Sequence, residues 1–165
     1  MSGAFPISTS KFQTLGIKSI QNTLISKSIS GKKLARQVDN QRFGFTARII
    51  TAKRSDVYGE LMAFIMKQRS SKENFTIIPP ELEDARGNVS GTVLVNGVHA
   101  VGDTTIDIDG MTGTLKAGDF VKFASHNKVY MVVADATADG SNEATITIEP
   151  PLIKALTNDS VVTYD

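Results

Sequence analysis

Alternating apolar and polar positions dominate the first 50 residues of the chain. Residues 24–30 and 33–38 alternate loosely, and QRFGFTARII puts its two Phe, one Ala and one Ile at every second position. This period of two is typical of antiparallel strands with one covered face. Ser30-Gly31 separates the first two stretches and Asp39-Asn40 the next two, so the pattern predicts strands joined by tight hairpin turns.

A period of 3.6 residues follows and predicts one amphipathic helix packed on the sheet. Ser55 is its expected N-cap, and Lys67 lies near the negative C-terminal end of the helix. Met62 and Met66 are expected to pack in the core beside the apolar stripe. The stripe consists of Val57, Leu61, Phe64 and Ile65.

Two similar segments, FTIIPP at residues 75–80 and TITIEPP at residues 145–151, each end a predicted strand on two prolines. Proline supplies no backbone donor to a ladder, so the chain is expected to leave its sheet at each pair. We interpret the segments as domain boundaries rather than as a repeat. The expected organisation is a first domain of residues 1–80, a second of residues 81–152, and a C-terminal segment, 153–165, that returns towards the first.

Many short β-prone runs follow the polar linker ELEDARGNVSG. Turn pairs such as Asn96-Gly97 and Gly118-Asp119 separate them at a spacing typical of a small barrel or sandwich. No helix is predicted there beyond a turn at LIKAL. The runs are TVLVN, TTIDI, DFVKF, KVYMVVA, EATITI and VVTY.

The net charge of +1 hides a strong division of charge along the chain. Residues 1–80 hold 13 Lys and Arg against 4 Asp and Glu, a net charge of +9, whereas residues 81–165 hold 5 against 13, a net charge of −8. The basic residues could face acidic surface on neighbouring subunits, approach nucleic acid, or be solvated strand faces. Those that raise this question are Lys32, Lys33, Arg36, Arg42 and Arg48.

Several classes of protein are disfavoured by composition. The chain has no cysteine, so it offers no disulfide, thiolate metal site or Cys nucleophile. Its longest apolar run, 61–66, is far shorter than a membrane span, and its N-terminus lacks the pattern of a signal peptide. We expect a soluble intracellular product.

The strongest pattern for catalysis is GDFVKFASHNKVY, in which Asp119, Ser125, His126 and Tyr130 lie close together. If DFVKF and KVYMVV are consecutive strands, however, SHN is the turn between them, and His126 is expected to be exposed at its tip. The other histidine of the chain is His99, and its separation from His126 does not fit a zinc motif.

Two acidic patterns suggest metal binding or catalysis without completing either motif. Asp107 and Asp109 before Gly110 resemble the middle of a calcium loop, but the closing Glu is absent, which favours a hairpin turn. The acidic residues at 81, 83 and 84 lie in the predicted linker and are expected to be solvated. No metal or cofactor is predicted.

Most of the chain resembles distal tail proteins, a family of tail-tip proteins from tailed bacteriophages. The matching segments are SISGKKLARQVDNQRFGFTARII, FIMKQR, FTIIPP, GTLKAGDFVKFASHNKVYMVVAD and TITIEPPL. The resemblance implies an antiparallel β-sandwich flanked by one α-helix, with an inserted or appended small β-barrel or sandwich. It also implies further strands after the second proline pair, so we expect either a strand from a neighbouring subunit or a reduced sandwich.

By this resemblance the protein is a non-enzymatic virion component, made in the host cytoplasm, that forms a hexameric ring at the tail tip. It would bind tube, baseplate hub and fibre proteins, would meet DNA only as DNA passes through the lumen, and would not bind membranes. Alternatives are a tail tube or tail terminator subunit, a carbohydrate-binding module with exposed aromatics, or a small hydrolase with His126 in a pocket.

The resulting candidate sites form two groups. An apolar N-terminal arm could lock neighbouring subunits together or could pack locally. Candidate subunit-interface residues are Phe5, Phe12, Lys32, Lys33, Arg36, Arg42 and Arg48. Candidate partner-facing residues are Asp103, Asp107, Asp109, His126 and Asp139.

Overall fold

The protein divides into two compact units in a computed structural model, residues Met1–Pro80 and Glu81–Asp165. The structure describes residues 3–6, 12–37, 41–50, 53–70, 72–79, 82 and 84–164. The division coincides with the first proline pair, where the charge changes from basic to acidic. The predicted turn at Asp39-Asn40 lies outside the described residues.

Two antiparallel two-stranded sheets, together called the ribbon, form the β structure described in the first unit. β1 (Phe12–Ile20) pairs with β4 (Arg42–Ile49), and β2 (Thr23–Lys27) pairs with β3 (Lys33–Gln37). The turn at Ser30-Gly31 is confirmed, and Gly31 has a φ of 80°, which glycine adopts without steric cost. Strands β2, β3 and β4 follow the predicted stretches, whereas β1 was not predicted.

The helix of the first unit begins with a π-helical turn, Arg54–Tyr58, and continues as α1, Gly59–Lys67. The prediction of Ser55 as N-cap is wrong, because this residue lies inside the π-helical turn. Phe64 is buried as expected, but Ile65 is 49% exposed and Met66 is 73% exposed. Met62 is also exposed, so the predicted core packing of both methionines is wrong.

The FTIIPP segment makes less β structure than its sequence suggests. Thr76 forms one parallel bridge with Ala4, with a hydrogen bond of 2.8 Å from Phe5 N to Thr76 O. The other described residues of 75–79 lie outside the named strands. A short N-terminal segment is thereby tied to the chain beyond the helix.

A six-stranded antiparallel sheet, which curls into a nearly closed barrel, forms the second unit. Its strand order is β12-β8-β9-β11-β6-β5. The strands are β5 (Leu94–Val95), β6 (Thr105–Asp109), β8 (Phe120–Phe123), β9 (Val129–Val132), β11 (Ala144–Glu149) and β12 (Val162–Thr163). All six correspond to the predicted runs, whereas the short pair β7 (Thr114–Leu115) and β10 (Ala136–Thr137) was not predicted.

The barrel comes close to closure where β5 meets β12. Leu94 bridges Val161, and Val95 N donates to Ser160 O at 3.0 Å while Val162 N donates to Val93 O at 2.9 Å. Closure pairs backbone groups that an open sheet would leave at its edges. The second unit therefore does not depend on another chain to pair these two strands.

Alternation along the strands explains why the barrel has a mainly apolar interior. In β6 and β11 every second residue is an isoleucine with no exposed surface, while the residues between them face outward. The core is one cluster: Val93, Val95, Ile106, Ile108, Met111, Leu115, Val121, Phe123, Tyr130, Val132, Ala136, Ile146, Ile148, Leu152, Leu156 and Val162.

The C-terminal segment corrects the predicted domain organisation. Residues 153–165 were expected to return to the first domain, but they belong to the second unit, and β12 pairs with β8. Leu156 and Val162 are core residues of the barrel, so burial of their side chains holds the segment there.

The mainly β fold with one α-helix and a small barrel is confirmed. The β-sandwich arrangement of the first unit stays a prediction. Among the described residues, no helix is long and apolar enough to cross a membrane.

Candidate functional site

The β2–β3 end of the ribbon presents a concentration of positive charge. Lys27 lies directly across the ladder from Lys33, and Lys32 lies in the turn, where its backbone N–H donates to Ser28 Oγ at 3.1 Å. Arg36 is opposite Leu24 on the same pair of strands. All four basic side chains are exposed, so this end of the ribbon can interact with an anionic surface.

The β1–β4 end of the ribbon has two chemically different faces. Directly opposed residues share a face in an antiparallel pair. Ile17 therefore lies beside Phe45, and Leu15 beside Ala47, on an apolar face, while Arg48 lies opposite Thr14 on the other face. Ile17 and Phe45 are each 40% exposed, so neither is fully covered by its own chain.

Phe5 and Phe12 lie together in an aromatic cluster of the first unit. The ring centroids of Phe5 and Phe12 are 5.9 Å apart, and Phe5 is 5.4 Å from Phe64 and 6.1 Å from Phe75. The Phe64 and Phe75 rings also meet edge to face at 5.2 Å. The arm thus packs locally, which was one of the two alternatives, and its role at a subunit interface stays a prediction.

An acidic surface covers the outside of strands β6 and β11. Asp107 is paired with Thr145, whose hydroxyl donates to Asp107 Oδ1 at 2.6 Å, and Asp109 is opposite Leu94 of β5. Beside these strands lies an open groove with a volume of about 340 Å³, lined by Asp107, Asp139, Glu143 and Thr145 among others. The groove combines three carboxylates with the Thr145 hydroxyl and suits a cationic or hydrogen-bonding partner.

Asp139 and Asp103 stabilise turns. Asp139 Oδ1 accepts hydrogen bonds from the backbone N–H groups of Glu143 at 3.0 Å and Ser141 at 2.8 Å, and these bonds lower the pKa of Asp139. Asp103 Oδ2 accepts from the N–H of Ala100 at 2.7 Å. Their carboxylates have local structural roles, and a partner-facing role for either stays a prediction.

The β8–β9 connection contains a buried polar pair. The turn between these strands is confirmed, but the expected exposure of His126 is wrong, since its side chain is only 2% exposed. His126 Nδ1 lies 2.7 Å from the hydroxyl of Tyr130, and that hydroxyl also accepts a long hydrogen bond of 3.4 Å from Ile153 N. The pair therefore links the turn to the C-terminal segment.

Burial shapes the protonation of this pair. Desolvation lowers the pKa of His126; the nearby Ala155 carbonyl acts in the opposite direction, and the charge of Lys154 lowers the pKa further. His126 Nε2 nevertheless has no hydrogen-bond partner among the described residues, the Ala155 carbonyl included. Desolvation also raises the pKa of Tyr130, against a smaller effect of the Ile153 N–H, and so favours its neutral hydroxyl.

The four residues of the catalytic pattern do not form a single constellation. His126 is bonded to Tyr130, while Ser125 is exposed and its backbone carbonyl accepts from Lys154 Nζ at 3.4 Å. Asp119 is buried, and its two carboxylate oxygens accept from the N–H groups of Arg86 and Lys116, both at 2.8 Å. This geometry gives Asp119 a role in joining the start of the barrel to the β7–β8 turn.

The acidic pattern before Gly110 and the other histidine, His99, are both part of the strand framework around β6. Strand β6 ends at Asp109, and Gly110 follows with a positive φ of 68°, but β6 pairs with β5 and β11 rather than forming a hairpin with β7. His99 Nε2 accepts from Asp107 N at 3.2 Å. No group of His, Asp and Glu suited to a metal ion occurs in the described part of the chain. Glu81 and Glu83 lie outside it.

Sequence reasoning missed the structural role of Asp119 and the link between Tyr130 and Ile153. The available signal for Asp119 was its position after Gly118, because a carboxylate in a turn often accepts backbone N–H groups. The bond to Arg86 N spans 33 positions, and no local pattern contains it.

The second unit matches a known protein family. Residues 82–163 match the family model described as distal tail protein pb9, B domain. This range begins and ends within two residues of the second unit. No curated protein matches the chain.

Proposed function

We propose that this protein is a structural adaptor of the tail tip, because residues 82–163 belong to the B-domain family of distal tail protein pb9. This match confirms the resemblance to tailed-phage distal tail proteins. The task of the adaptor is to join the tail tube to baseplate or fibre proteins. The family has a structural role, so the chemistry to explain is assembly rather than turnover.

The observation that carries this proposal is the agreement between the family match and one complete folding unit. The matched range contains the whole hydrophobic core of the barrel and all six of its sheet strands. A barrel whose first and last strands are paired has no need to recruit backbone from a partner. Such a unit can present its outer side chains to another protein while keeping its own fold.

The first unit supports ring formation through its ribbon and its aromatic cluster. The apolar face of the β1–β4 pair leaves Ile17 and Phe45 partly exposed, and exposed apolar surface is typical of protein interfaces. In a ring of identical subunits, six by the family resemblance, the ribbon would contact the neighbouring copy. The interface residues we propose are Phe5, Phe12, Lys32, Lys33, Arg36, Arg42 and Arg48.

The second unit would supply surface for the other tail proteins. Asp107 and Asp109 lie on the outside of β6 and fit this role directly, with Asp103 and Asp139 at neighbouring turns. His126 was a candidate for this surface, but its side chain is buried in the β8–β9 connection against Tyr130 and is not presented to a partner. In the assembled virion the partners would be tube, baseplate hub and fibre proteins, and DNA would pass through the lumen without a specific contact.

The experiment is to locate the protein in purified phage particles. We expect mass spectrometry to find it in virions and immunogold labelling to place it at the tail tip. Native mass spectrometry of the purified chain should show a closed homo-oligomer, and a hexamer would match the family resemblance. Labelling along the whole tail would favour a tube subunit, labelling at the head-proximal end would favour a terminator, and absence from virions would contradict the proposal.

A further inference from the structure

The end of the ribbon carries positive charges that its own strands do not neutralise. We define the ribbon tip as Lys27, Lys32 and Lys33. Lys27 and Lys33 face each other across the ladder, a placement of like charges that destabilises a strand pair. The one acidic residue within positions 12–49 is Asp39, and the three ammonium groups have no ion pair among the described residues. An anionic partner would relieve this repulsion.

The second unit carries a surface of opposite charge on a regular frame. We define the acidic face as Asp107, Asp109, Glu143 and Glu149, interleaved with three threonines of β6 and β11. Outward positions of these two strands hold threonine or a carboxylate, and none holds Lys or Arg. The threonines are Thr105, Thr145 and Thr147.

We propose that the ribbon tip of one copy of this protein binds the acidic face of a second copy. The occupant is identified by charge: one chain contains a unit of net charge +9 and a unit of net charge −8. Complementary potentials of this kind fix orientation and accelerate association. The inference rests on the proposed function, since it names the two surfaces that would meet in the ring.

The two surfaces differ, and this has a geometric consequence. A contact between unlike surfaces is head-to-tail, so each copy uses its tip on one neighbour and its face on the other. Such a contact closes into a ring when the rotation between copies divides a full turn. A contact between like surfaces would instead stop at a dimer.

Electrostatics also determine how the contact should behave in salt. Single exposed ion pairs contribute about 0–1 kcal/mol, so several must act together with the apolar residues of the ribbon. The Debye length falls from about 10 Å at 0.1 M salt to about 3 Å at 1 M. Assembly should therefore weaken as salt is raised, whereas an assembly held by apolar surface alone would not.

Charge reversal in the full-length chain tests the contact. The tip variant carries Lys27→Glu, Lys32→Glu and Lys33→Glu, and the face variant carries Asp107→Lys, Glu143→Lys and Glu149→Lys. A control with the same change in net charge as the tip variant reverses exposed lysines near the helix: Lys53→Glu, Lys67→Glu and Lys72→Glu. By sedimentation velocity we expect each of the two test variants to raise the dissociation constant about tenfold or more, and the control to leave it nearly unchanged.

Mixing the two test variants separates a lost contact from a damaged fold. In a mixture, the reversed tip of one chain meets the reversed face of the other, and the remaining tip and face are both native, so an alternating ring should form. A chain that carries all six reversals should also assemble. Failure of both rescues, equal weakening by the control, or a wild-type chain that stays monomeric would overturn the proposal.

Binding to nucleic acid is the rival outcome. Fluorescence anisotropy with a short DNA duplex should show no loss specific to the tip variant. If the tip reversal abolishes DNA binding and leaves assembly intact, the tip is a nucleic-acid surface and the proposal is wrong. If the protein is present at the tail tip but assembly is insensitive to both reversals, the proposed function stands and this inference fails.

Discussion

The buried pair of His126 and Tyr130 makes the barrel sensitive to pH. Protonating His126 would place a charge where the side chain has almost no access to water and where Nε2 has no hydrogen-bond partner among the described residues. Burial accordingly lowers the pKa of the folded-state imidazole below its ordinary value of 6.5. The neutral ring is the form that fits the fold.

From this pKa shift we predict that the protein loses stability in mild acid. The contribution of His126 is fully present above about pH 6.5 and is lost as the pH falls towards the lower folded-state pKa, because the unfolded chain then binds a proton that the folded chain resists. The slope for one proton cannot exceed about 1.4 kcal/mol per pH unit. Urea unfolding followed by tyrosine fluorescence at several pH values measures it.

The His126→Gln variant is the control for this prediction. Glutamine can still form a hydrogen bond with the Tyr130 hydroxyl but does not titrate. The free energy of unfolding of the variant should therefore depend less on pH between about pH 5 and 7, the range in which histidine ordinarily titrates. An unchanged slope would assign the acid sensitivity to other groups.

Substitution of Asp119 should lower stability more than is usual for a residue in a turn. Asp119→Asn leaves one oxygen to accept two backbone N–H groups, those of Arg86 and Lys116. We expect a loss of about 2 kcal/mol in the free energy of unfolding. Asp135→Asn is the matched control, since exposed Asp135 accepts a single bond from Ala117 N at 2.8 Å. Equal losses in the two variants would contradict the role of burial.

At the scale of elements, α1 shows that helical spacing alone does not decide which residues are covered. Phe64 is buried within the aromatic cluster with Phe5 and Phe75, but Met66, two residues further along the helix and therefore on another side of it, is largely exposed. Four aromatic rings that meet on one side of the helix concentrate burial there. A stripe of apolar residues can therefore be only partly covered in the single chain.

This arrangement predicts different effects for two substitutions in α1. Phe64→Ala removes a ring from the cluster and should lower stability by about 3 kcal/mol or more, whereas Met66→Lys should change it by less than about 0.5 kcal/mol. Thermal unfolding monitored by circular dichroism at low protein concentration measures both. A large loss for Met66→Lys under these conditions would show that its side chain is covered within the chain.

At the scale of the whole molecule, the two units differ in how completely they bury their own apolar residues. The barrel has one continuous core of buried side chains, while buried apolar residues described in the first unit are Val57 and Phe64. Many apolar side chains of the ribbon remain exposed, including Leu24, Ile25 and Leu34. The second unit thus has what it needs to fold independently, and the first gains most from a neighbour.

We predict that a fragment of residues 81–165 folds on its own. Because its core comes entirely from this range, it should unfold cooperatively and give dispersed amide signals in NMR spectra. A fragment of residues 1–80 should show broad unfolding and a tendency to associate. A disordered 81–165 fragment would mean that the barrel requires contacts from outside its sequence.

Elements whose patterns are local could be predicted along the chain. Short β-prone runs between turn pairs predicted all six sheet strands of the barrel, and glycine at position 31 marked a turn, because β propensity and backbone freedom are properties of neighbouring residues. The charge division and the family resemblance were also readable along the chain, and the latter is confirmed for residues 82–163. Alternation alone also indicates that the acidic side chains of β6 lie on the outer face of the sheet.

Which of these elements meet depends on the folded molecule. The tertiary structure assigned residues 153–165 to the barrel, because the partner of Val162 is Phe123, a residue distant in sequence. It buried His126, because Tyr130 and the C-terminal segment converge on the turn that was expected to be exposed. Burial and pairing depend on surfaces brought together from separate parts of the chain, and a local pattern contains no information on which surfaces those are.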